Sequence, residues 1–369
     1  MIYLDNAATT FPKPRSVIKE VEKCLTDYCG NPGRGSHKMS LAAAEKIYSC
    51  RCRAAAMFGA KAENVIFTMN TTYALNMAIK TLAKPGDHVI ISSMEHNSVF
   101  RPVYALAQQK KITYSVFDAF SGDPVERIRE KLRPETSLVL CAHASNICGK
   151  VLPVERIGAF LNKRNIRFIV DAAQSAGHYP TDISRSHIDA LCVPGHKGLY
   201  GVQGSAMLIC GDGFSGTTFM EGGSGINSAD PTMPDFLPER YEAGTLPTPC
   251  IAGLDEGITF VEKIGIDTIR EYEESLFREA YARLCEVPKV KQYSKGSMLL
   301  FNIEGKTPSE VCEALDSSGI CVRGGLHCSP LAHASLGTGK EGAVRASFGI
   351  FNIKDDVLRF CESVRKLAK

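Results

Sequence analysis

Two charged side chains stand just after apolar runs of this sequence, and together they indicate covalent cofactor chemistry. Asp171 ends the apolar run 167–170, and Lys197 follows the run 189–193 and a Pro-Gly turn. A carboxylate at the end of one strand can keep a pyridine nitrogen protonated, and a lysine at the end of the next can form an imine with an aldehyde. Pyridoxal phosphate needs this pair. The ordinary alternatives are a helix N-cap for Asp171 and a surface position for Lys197.

A third reactive side chain lies in a glycine-rich segment. Cys328 is in the loop 324–330, which has two glycines before it and Pro330 after it. A thiolate is a good nucleophile and could take sulfur from an amino acid that the cofactor holds. The alternative is a small buried hydrophobe. We interpret the three residues as those of an enzyme that removes sulfur or selenium from an amino acid.

Length and charge limit the other classes of protein. The 369 residues suit roughly two domains. With 43 basic and 40 acidic residues the net charge is +3, and no long run of Lys or Arg occurs, so nucleic acid is not expected as a partner. No apolar stretch reaches the ~20 residues of a membrane span, and the first residues do not resemble a secretion signal. We expect a cytoplasmic protein with no membrane partner.

The fourteen cysteines raise the question of a metal site. Cys50 and Cys52 form the only close pair, and no second pair of matching spacing accompanies them. A reduced cysteine in an apolar context acts as a small hydrophobe. We therefore predict no metal site.

Short apolar runs alternate with helical patterns over most of the chain. The predicted strands are 64–67, 88–92, 113–116, 137–140, 167–170 and 205–209. Helical patterns lie between them, for example at 71–82 and 153–164. This alternation favours an α/β fold with a mostly parallel sheet that is covered on both faces. Such sheets bind their ligands at the carboxyl ends of the strands.

Three polar residues, Thr71, His96 and Asn146, also follow predicted strands. We expect them to share one site with the aspartate and the lysine. Thr71 and Thr72 begin a helical pattern, so their amides and hydroxyls can bind a phosphate. Helix capping by the same residues is the alternative.

The pattern changes in the last third of the chain, where long helical segments precede two further strands. These segments are 257–264, 268–284, 298–303 and 321–322. They predict a smaller α+β domain that carries the Cys328 loop. We place the large domain at residues 15–252, and the small domain at residues 253–369 together with residues 1–14.

Four short motifs recur in this order in one known family. They are 3–9, 34–37, the aspartate-x-x-glutamine of 171–174 and the histidine-lysine of 196–197. With them the sequence resembles class V aminotransferase-fold enzymes, in particular the cysteine desulfurase and selenocysteine lyase branch. The resemblance implies the pyridoxal-phosphate-dependent transferase fold type I, with a mostly parallel seven-stranded sheet in the large domain.

The resemblance also implies roles for the residues of the cofactor site. Lys197 would hold the cofactor and move protons, and Asp171 would pair with the ring nitrogen. The ring of His96 would stack on the cofactor and assist proton transfer, while Cys328 would accept sulfur as a persulfide. The other implied cofactor contacts are Thr71, Thr72, Asn146, Gln174 and His196. For Asn146 and Gln174 an ordinary turn or cap is the alternative.

The carboxylate of an amino acid substrate needs a fixed cation, and a guanidinium offers two parallel donors. Arg345 matches the family arginine with this role. Arg323, Asn31, Arg34 and His37 are weaker candidates. An interdomain salt bridge is the alternative for Arg323.

Partners also follow from the resemblance. Thr245 resembles a threonine that reaches the cofactor phosphate of the neighbouring subunit, so a homodimer is expected. The short loop around Cys328 is similar to that of the selenocysteine lyase-like group, in which a sulfur-acceptor protein or a low-molecular-weight thiol discharges the persulfide.

Two departures from the family pattern keep other functions open. The cysteine loop continues as 329–333 in a way unlike the best-known desulfurases, and the segment 199–204 lacks a proline that is frequent in the family. Neither departure removes a catalytic group. One alternative is another class V enzyme, an aminotransferase or a β-eliminating C–S lyase that does not use Cys328. The other is a binding or scaffold protein that kept the fold without catalysis.

Overall fold

A computed structural model describes residues 1–33 and 35–369. Its helices are α1 Arg15–Lys23, α2 Lys38–Phe58, α3 Thr71–Leu82, α4 Asn97–Gln108, α5 Pro124–Arg129, α6 Val154–Asn162, α7 Thr248–Ile264, α8 Ile266–Cys285, α9 Pro308–Ser317, α10 Pro330–Leu336 and α11 Lys354–Leu367. Its strands are β1 Ile2–Tyr3, β2 Val65–Thr68, β3 His88–Ser92, β4 Thr113–Phe117, β5 Thr136–Ala142, β6 Arg167–Asp171, β7 Ala190–Pro194, β8 Ala206–Cys210, β9 Val290–Gln292, β10 Leu299–Ile303, β11 Ile320–Cys321, β12 Arg323–Gly325 and β13 Ala343–Ala346. None of these helices is long and apolar enough to cross a membrane.

A seven-stranded sheet forms the centre of the large domain. Its strands lie in the order β2-β8-β7-β6-β5-β3-β4. Strand β8 is antiparallel to both of its neighbours, and the other pairs are parallel. This arrangement confirms the predicted α/β class. Because the parallel strands point the same way, their carboxyl ends meet at one edge of the sheet.

Helices cover both faces of this sheet, which explains the continuous apolar sequences of its strands. On one face the apolar cluster includes Phe58 of α2, Leu161 of α6 and Leu254 of α7. On the other face it includes Leu75 of α3 and Val103 of α4. The helices α3 and α4 each follow a strand of the sheet, so their N-terminal ends lie at the edge where the predicted site residues are found.

An antiparallel sheet, β12-β13-β10-β9, forms the small domain. Helices α8, α9 and α11 pack around Phe301 and Phe360 of this domain. The N-terminal strand β1 pairs with β11, and Leu4 is buried in the same apolar cluster. On this basis we propose that residues 1–14 belong with the small domain.

Helix α7 runs unbroken across the boundary that the sequence predicts at residue 252. Its Leu254 and Ile258 belong to the same apolar cluster as the large sheet. The chain turns at Gly265, where φ is +93° and the next helix begins. We therefore propose Gly265 as the boundary between the two domains, because the predicted one divides a helix that packs on the large domain.

Gly257 lets helix α7 lie directly against the segment that carries Lys197. A Cβ atom at Gly257 would stand 2.1 Å from the carbonyl oxygen of Leu199. We expect Gly257→Ala to lower the free energy of unfolding by about 2 kcal/mol, since overpacking of about 3 kcal/mol exceeds the ~1 kcal/mol that alanine gains in a helix. Urea unfolding measures the change. Gly213→Ala is the matched control, because its Cβ would find no atom closer than 3.7 Å. Equal stability of the two variants would contradict the close approach.

Candidate active site

Eight of the predicted site residues line one cavity at the carboxyl edge of the large sheet. They are Thr71, Thr72, His96, Asn146, Asp171, Gln174, His196 and Lys197. The loops after β2, β3, β5, β6 and β7 supply them, as the parallel strands require. The sequence positions that could do chemistry are thus assembled by the topology of one sheet.

Lys197 lies in a turn that several segments hold in place. The carbonyl oxygen of the preceding residue, His196, accepts hydrogen bonds from the side chains of Thr9 at 3.1 Å and Lys13 at 2.7 Å. The carbonyl oxygen of Lys197 itself accepts from the amide of Tyr200 at 2.8 Å. Burial lowers the pKa of the Lys197 amine to about 8, although the nearby Asp171 carboxylate acts in the opposite direction. About a tenth of this amine is therefore unprotonated at pH 7, far more than for an ordinary lysine.

Asp171 is the last residue of β6 and is buried. Its Oδ1 accepts a hydrogen bond from the amide of Ala173 at 2.8 Å. Burial raises the pKa of this carboxyl, and the charge of Lys197 opposes the rise. A buried carboxylate of this kind gains most from a cationic partner in the cavity.

The N-terminal end of α3 supplies donors to the same cavity. Asn70 caps this helix by accepting from the amide of Tyr73 at 2.9 Å, so the first turn, with Thr71 and Thr72, is fixed. Free amides at a helix N-terminus favour anions. In the same cavity His196 has a buried Nδ1 atom without a hydrogen-bond partner.

His96 is held so that one ring nitrogen is committed and the other is free. It caps α4, and its Nδ1 accepts from the amide of Ser98 at 3.1 Å. Burial and the neighbouring Lys197 lower its pKa to about 4, so the ring is neutral at neutral pH. A neutral ring that accepts at Nδ1 carries its proton on Nε2, and His96 can therefore donate or exchange a proton at that atom.

Asn146 joins the large domain to the cysteine loop. Its side-chain amide donates to the carbonyl oxygen of His327 at 2.9 Å, and its Oδ1 accepts from the hydroxyl of Ser329 at 2.7 Å. Gln174 makes a different connection, with Nε2 donating to the carbonyl oxygen of Ala7 at 2.9 Å. Both amides line the cavity, but each is also a bridge to the small domain or to the N-terminal segment.

Cys328 is exposed beside the cavity and has a constrained backbone. Its φ angle is +56° and that of His327 is +48°, a left-handed conformation that costs free energy for residues other than glycine. The carbonyl oxygen of Cys328 accepts from the amide of Asn97 at 2.7 Å. Because Asn97 directly follows His96, the thiol and the imidazole are presented to the same open groove.

A chain of neutral imidazoles supports this loop from inside. His327 Nε2 donates to the carbonyl oxygen of Arg323 at 3.1 Å, which leaves Nδ1 to accept from His333 Nε2 at 3.2 Å. His333 Nδ1 in turn accepts from the hydroxyl of Thr338 at 2.7 Å. Burial lowers the pKa of His327 to about 3 and that of His333 to about 4, so neither ring carries charge at neutral pH. The hydrogen bonds between these residues therefore all donate in one direction, from Thr338 through His333 and His327 to Arg323.

The two predicted arginines lie opposite each other on β12 and β13. Arg323 pairs with Arg345 in the register of these strands, and Arg345 is 2% exposed. Arg345 donates to Asp5 Oδ1 at 2.6 Å and to the carbonyl oxygen of Asn146 at 2.7 Å. Its Nε is buried without a partner. Burial and the charge of Arg323 lower the pKa of Arg345, so an additional anion between the two guanidiniums would be stabilised.

Apart from Cys328, Arg323 and Arg345, three described residues of the prediction do not line this cavity. Asn31 and Thr245 line a separate hollow on the large domain, and Thr245 is exposed. His37 is also exposed and caps α2 by accepting from the amide of Ser40 at 3.3 Å. Arg34 lies outside the described residues. Within the described part of a single chain, the prediction that Asn31 and His37 join the substrate site finds no support.

Two residues of the site were missed by the sequence prediction. Asp5 pairs with Arg345, and its place in the N-terminal motif was the available signal. Glu95 is fully buried directly before His96, where Oε1 accepts from the amide of Ala142 at 2.9 Å and from the hydroxyl of Ser92. Burial raises the pKa of Glu95 to about 8. It therefore joins the ends of β3 and β5 as a largely neutral carboxylic acid.

The residues of the cavity fit pyridoxal phosphate. An amine with a lowered pKa can bind an aldehyde, and a buried carboxylate can pair with a protonated ring nitrogen. The first turn of α3 and the unpartnered Nδ1 of His196 are donors or polar contacts of the kind that a phosphate needs. The described residues contain no cluster of three or more His, Cys, Asp or Glu that could hold a metal ion.

Comparison with known proteins agrees with this geometry. Residues 2–360 match the family described as aminotransferase class-V, and the chain belongs to this family. It is a family of pyridoxal phosphate enzymes.

Individual relatives point to one branch of the family. A probable cysteine desulfurase of Methanothermobacter thermautotrophicus is 31% identical over 380 residues, which cover 100% of this chain and 94% of that protein. A longer relative from Mycolicibacterium paratuberculosis is also a probable cysteine desulfurase, and the chain covers 56% of it. The apo structure of the cysteine desulfurase from Thermococcus onnurineus is 31% identical and superposes with a TM-score of 0.91, covering 100% of this chain and 94% of that one.

The lowered pKa of Lys197 predicts how the apoprotein captures its cofactor. Only the unprotonated amine attacks an aldehyde, so we expect the capture rate to rise with pH and to be half-maximal near pH 8. Borohydride reduction followed by peptide mapping identifies the labelled lysine. Lys13 is a stringent control, because burial also lowers its pKa to about 8. Lys197→Gln should lose the label and Lys13→Gln should keep it; a label on Lys13 in the wild type would contradict the assignment.

Proposed function

We propose that the protein is a pyridoxal-phosphate-dependent cysteine desulfurase. It converts L-cysteine to L-alanine and keeps the sulfur as a persulfide on Cys328, and L-selenocysteine is a second candidate substrate. The observation that carries this proposal is the thiol of Cys328, which is exposed and shares an open groove with His96 at the mouth of the Lys197 cavity. The names of the relatives support the same reaction.

The substrate would be held by its carboxylate between two cations. Arg345 is buried and keeps one donor atom, Nε, unpaired, while Arg323 stands opposite it across two strands. Two guanidiniums on directly opposite residues of paired strands repel each other unless an anion lies between them. Asp5 neutralises one of these charges, and a substrate carboxylate would neutralise the second. We also propose that Asn146 keeps Cys328 directed at this position.

The reaction needs a base at Cα and a nucleophile at sulfur. Bound pyridoxal phosphate supplies an electron sink for the Cα carbon. The unprotonated amine of Lys197 takes and returns the Cα proton, and the Nε2 proton of His96 is available beside it. The thiolate of Cys328 attacks the substrate sulfur, so that an S–S bond forms and the C–S bond breaks. The electron pair of the broken C–S bond stays on Cβ, and Cβ takes up a proton to become the methyl group of alanine.

Replacement of Cys328 tests this function. We expect Cys328→Ser to bind cysteine with unchanged affinity but to lose at least about a hundredfold in alanine formation, because the hydroxyl is a poor nucleophile toward sulfur. Amino acid analysis measures alanine, and mass spectrometry measures one added sulfur on the Cys328 peptide of the wild type. Cys285→Ser, which removes another exposed thiol, is the matched control. Pyruvate and ammonia formed at the wild-type rate by Cys328→Ser would instead establish a β-eliminating lyase.

We also propose a homodimer in which Thr245 contacts the partner's cofactor phosphate. Thr245 is exposed and lies in a hollow that also contains two exposed apolar residues, Tyr48 and Ile226. A second copy of the chain would cover these side chains. The free thiols of the described chain also suit a reducing, cytoplasmic location.

Loss of the Thr245 hydroxyl should weaken cofactor binding without dissociating the dimer. We expect Thr245→Ala to raise the dissociation constant of pyridoxal phosphate by about fivefold to tenfold, which corresponds to one lost hydrogen bond. Equilibrium dialysis measures the affinity, and sedimentation measures the mass. Thr268→Ala, at an exposed threonine of α8, is the control. The shared site would be refuted if the wild type sediments as a monomer and the two variants bind the cofactor with equal affinity.

A further inference from the structure

A long open groove leads away from Cys328 across the surface of the large domain. It lies between α3 and α4, which run in the same direction from the carboxyl edge of the sheet. Thr72, His96 and Cys328 line it at the N-terminal ends of these helices, and Lys84 and Lys111 line it beyond their C-terminal ends. Each helix has 12 residues, so the groove is about 18 Å long at 1.5 Å per residue.

The groove is positively charged along its length. Arg101, Lys80, Lys84 and Lys111 line it, and no Asp or Glu is among its described lining residues. In the described part of the chain none of the four forms a salt bridge, which sets Arg101 apart from most other surface arginines. The lysines are not unusual in this respect, because among the described lysines acidic partners are found for Lys46 and Lys61. The carboxylate of Asp87 accepts from the backbone amide of Lys84 at 2.7 Å, but Asp87 stands outside the lining.

Ordinary helix stabilisation explains only part of this charge. Lys80 is in the last turn of α3, where a cation interacts favourably with the helix dipole, and its ammonium lies 5.2 Å from the ring centre of Phe219. Arg101 is the fifth residue of α4, in its second turn, so a C-terminal helix dipole does not explain its position. Its charge contributes to the lowered pKa of His96, so it stands close to the active site. Positive charge is therefore present near the active-site end of the groove, at Arg101, and at its far end, at the three lysines.

The groove is too long for the amino acid substrate alone. A single cysteine spans about 5 Å, whereas the far lysines are more than about 12 Å from the thiol end by the rise of α3. An extended peptide covers about 3.3 Å per residue, so five or six residues fill it. Pro102, Ala105 and Leu106 give the groove an apolar wall between the cations.

We propose that this groove is the docking surface for an acidic polypeptide segment whose own cysteine takes the sulfur from Cys328. The proposal rests on the proposed desulfurase function and names the partner by its chemistry. In the transfer, the acceptor thiolate attacks the outer sulfur of the Cys328 persulfide. A new S–S bond forms on the acceptor, the bond to Cys328 breaks, and Cys328 leaves as a thiolate. The sulfane sulfur is moved without any net oxidation or reduction.

Synthetic peptides provide the test. Each acceptor peptide has five glutamates and a single cysteine, which is at the N-terminal end in one peptide and at the C-terminal end in the other. Matched peptides have five glutamines or five lysines in place of the glutamates. The holoenzyme is first loaded with labelled sulfur from cysteine, and the rate of transfer to each peptide is divided by the rate to dithiothreitol. We expect the glutamate peptides to accept sulfur about tenfold faster than the glutamine peptides at low salt, and the preference to fade at high salt.

Charge removal in the groove identifies the surface. The triple variant Lys80→Gln, Lys84→Gln, Lys111→Gln should lose most of the preference for glutamate. The matched variant Lys131→Gln, Lys163→Gln, Lys306→Gln removes three exposed lysines elsewhere and should keep it. The proposal is overturned if the groove variant keeps its preference for glutamate. It is also overturned if the sedimenting mass of the groove variant differs from that of the wild type, because the groove would then belong to the subunit interface.

The other outcomes are also decisive. Equal transfer to all peptides, or faster transfer to free cysteine or glutathione than to the glutamate peptides, overturns the acidic acceptor. Failure of the wild type to form any persulfide on Cys328 refutes the desulfurase function itself. That result differs from a persulfide that forms and is discharged without charge preference.

Discussion

The site depends on two opposite charges that the parallel sheet buries side by side. Asp171 and Lys197 come from adjacent strand ends, where water is largely excluded, so each is costly to ionise alone. Burial lowers the pKa of the amine and raises that of the carboxyl, and the attraction between them limits both shifts. An amine that can lose its proton close to neutral pH follows from this balance, and the same attraction favours the charged form of Asp171.

The thiol side of the site is built by a different domain, and long-range hydrogen bonds connect the two. Asn146 fixes the carbonyl of His327 and the hydroxyl of Ser329, while Arg345 fixes the carbonyl of Asn146. Asp5, which belongs to the N-terminal segment, neutralises Arg345. Three segments far apart in sequence thus meet at one junction, and movement of the small domain would change the position of Cys328.

The sequence predicted what depends on local pattern and strand topology. The segment 71–82 agrees with α3, and each polar residue placed after a strand, from Thr71 to Lys197, lies in the cavity. Pairings across long separations were not predictable, because Asp5 and Arg345 meet only after both sheets have formed. Helix α2 was missed since its alanines give little contrast between its faces. Nothing in the sequence favoured Gly265 over residue 252 as a boundary, because α7 is apolar on both sides of residue 252.

The same structure explains how the exposed thiol of Cys328 is held in position. A left-handed backbone at two successive residues other than glycine costs about 1 kcal/mol or more at each, and it persists only where neighbours enforce it. The ring of His327 is held by hydrogen bonds to Arg323 and His333. The backbone of Cys328 is held by the hydrogen bond that its carbonyl oxygen accepts from the amide of Asn97. Because the imidazole chain is neutral, its hydrogen bonds keep one direction as pH changes around neutrality. The thiol can then face both the substrate and a docking partner without a large movement of its loop.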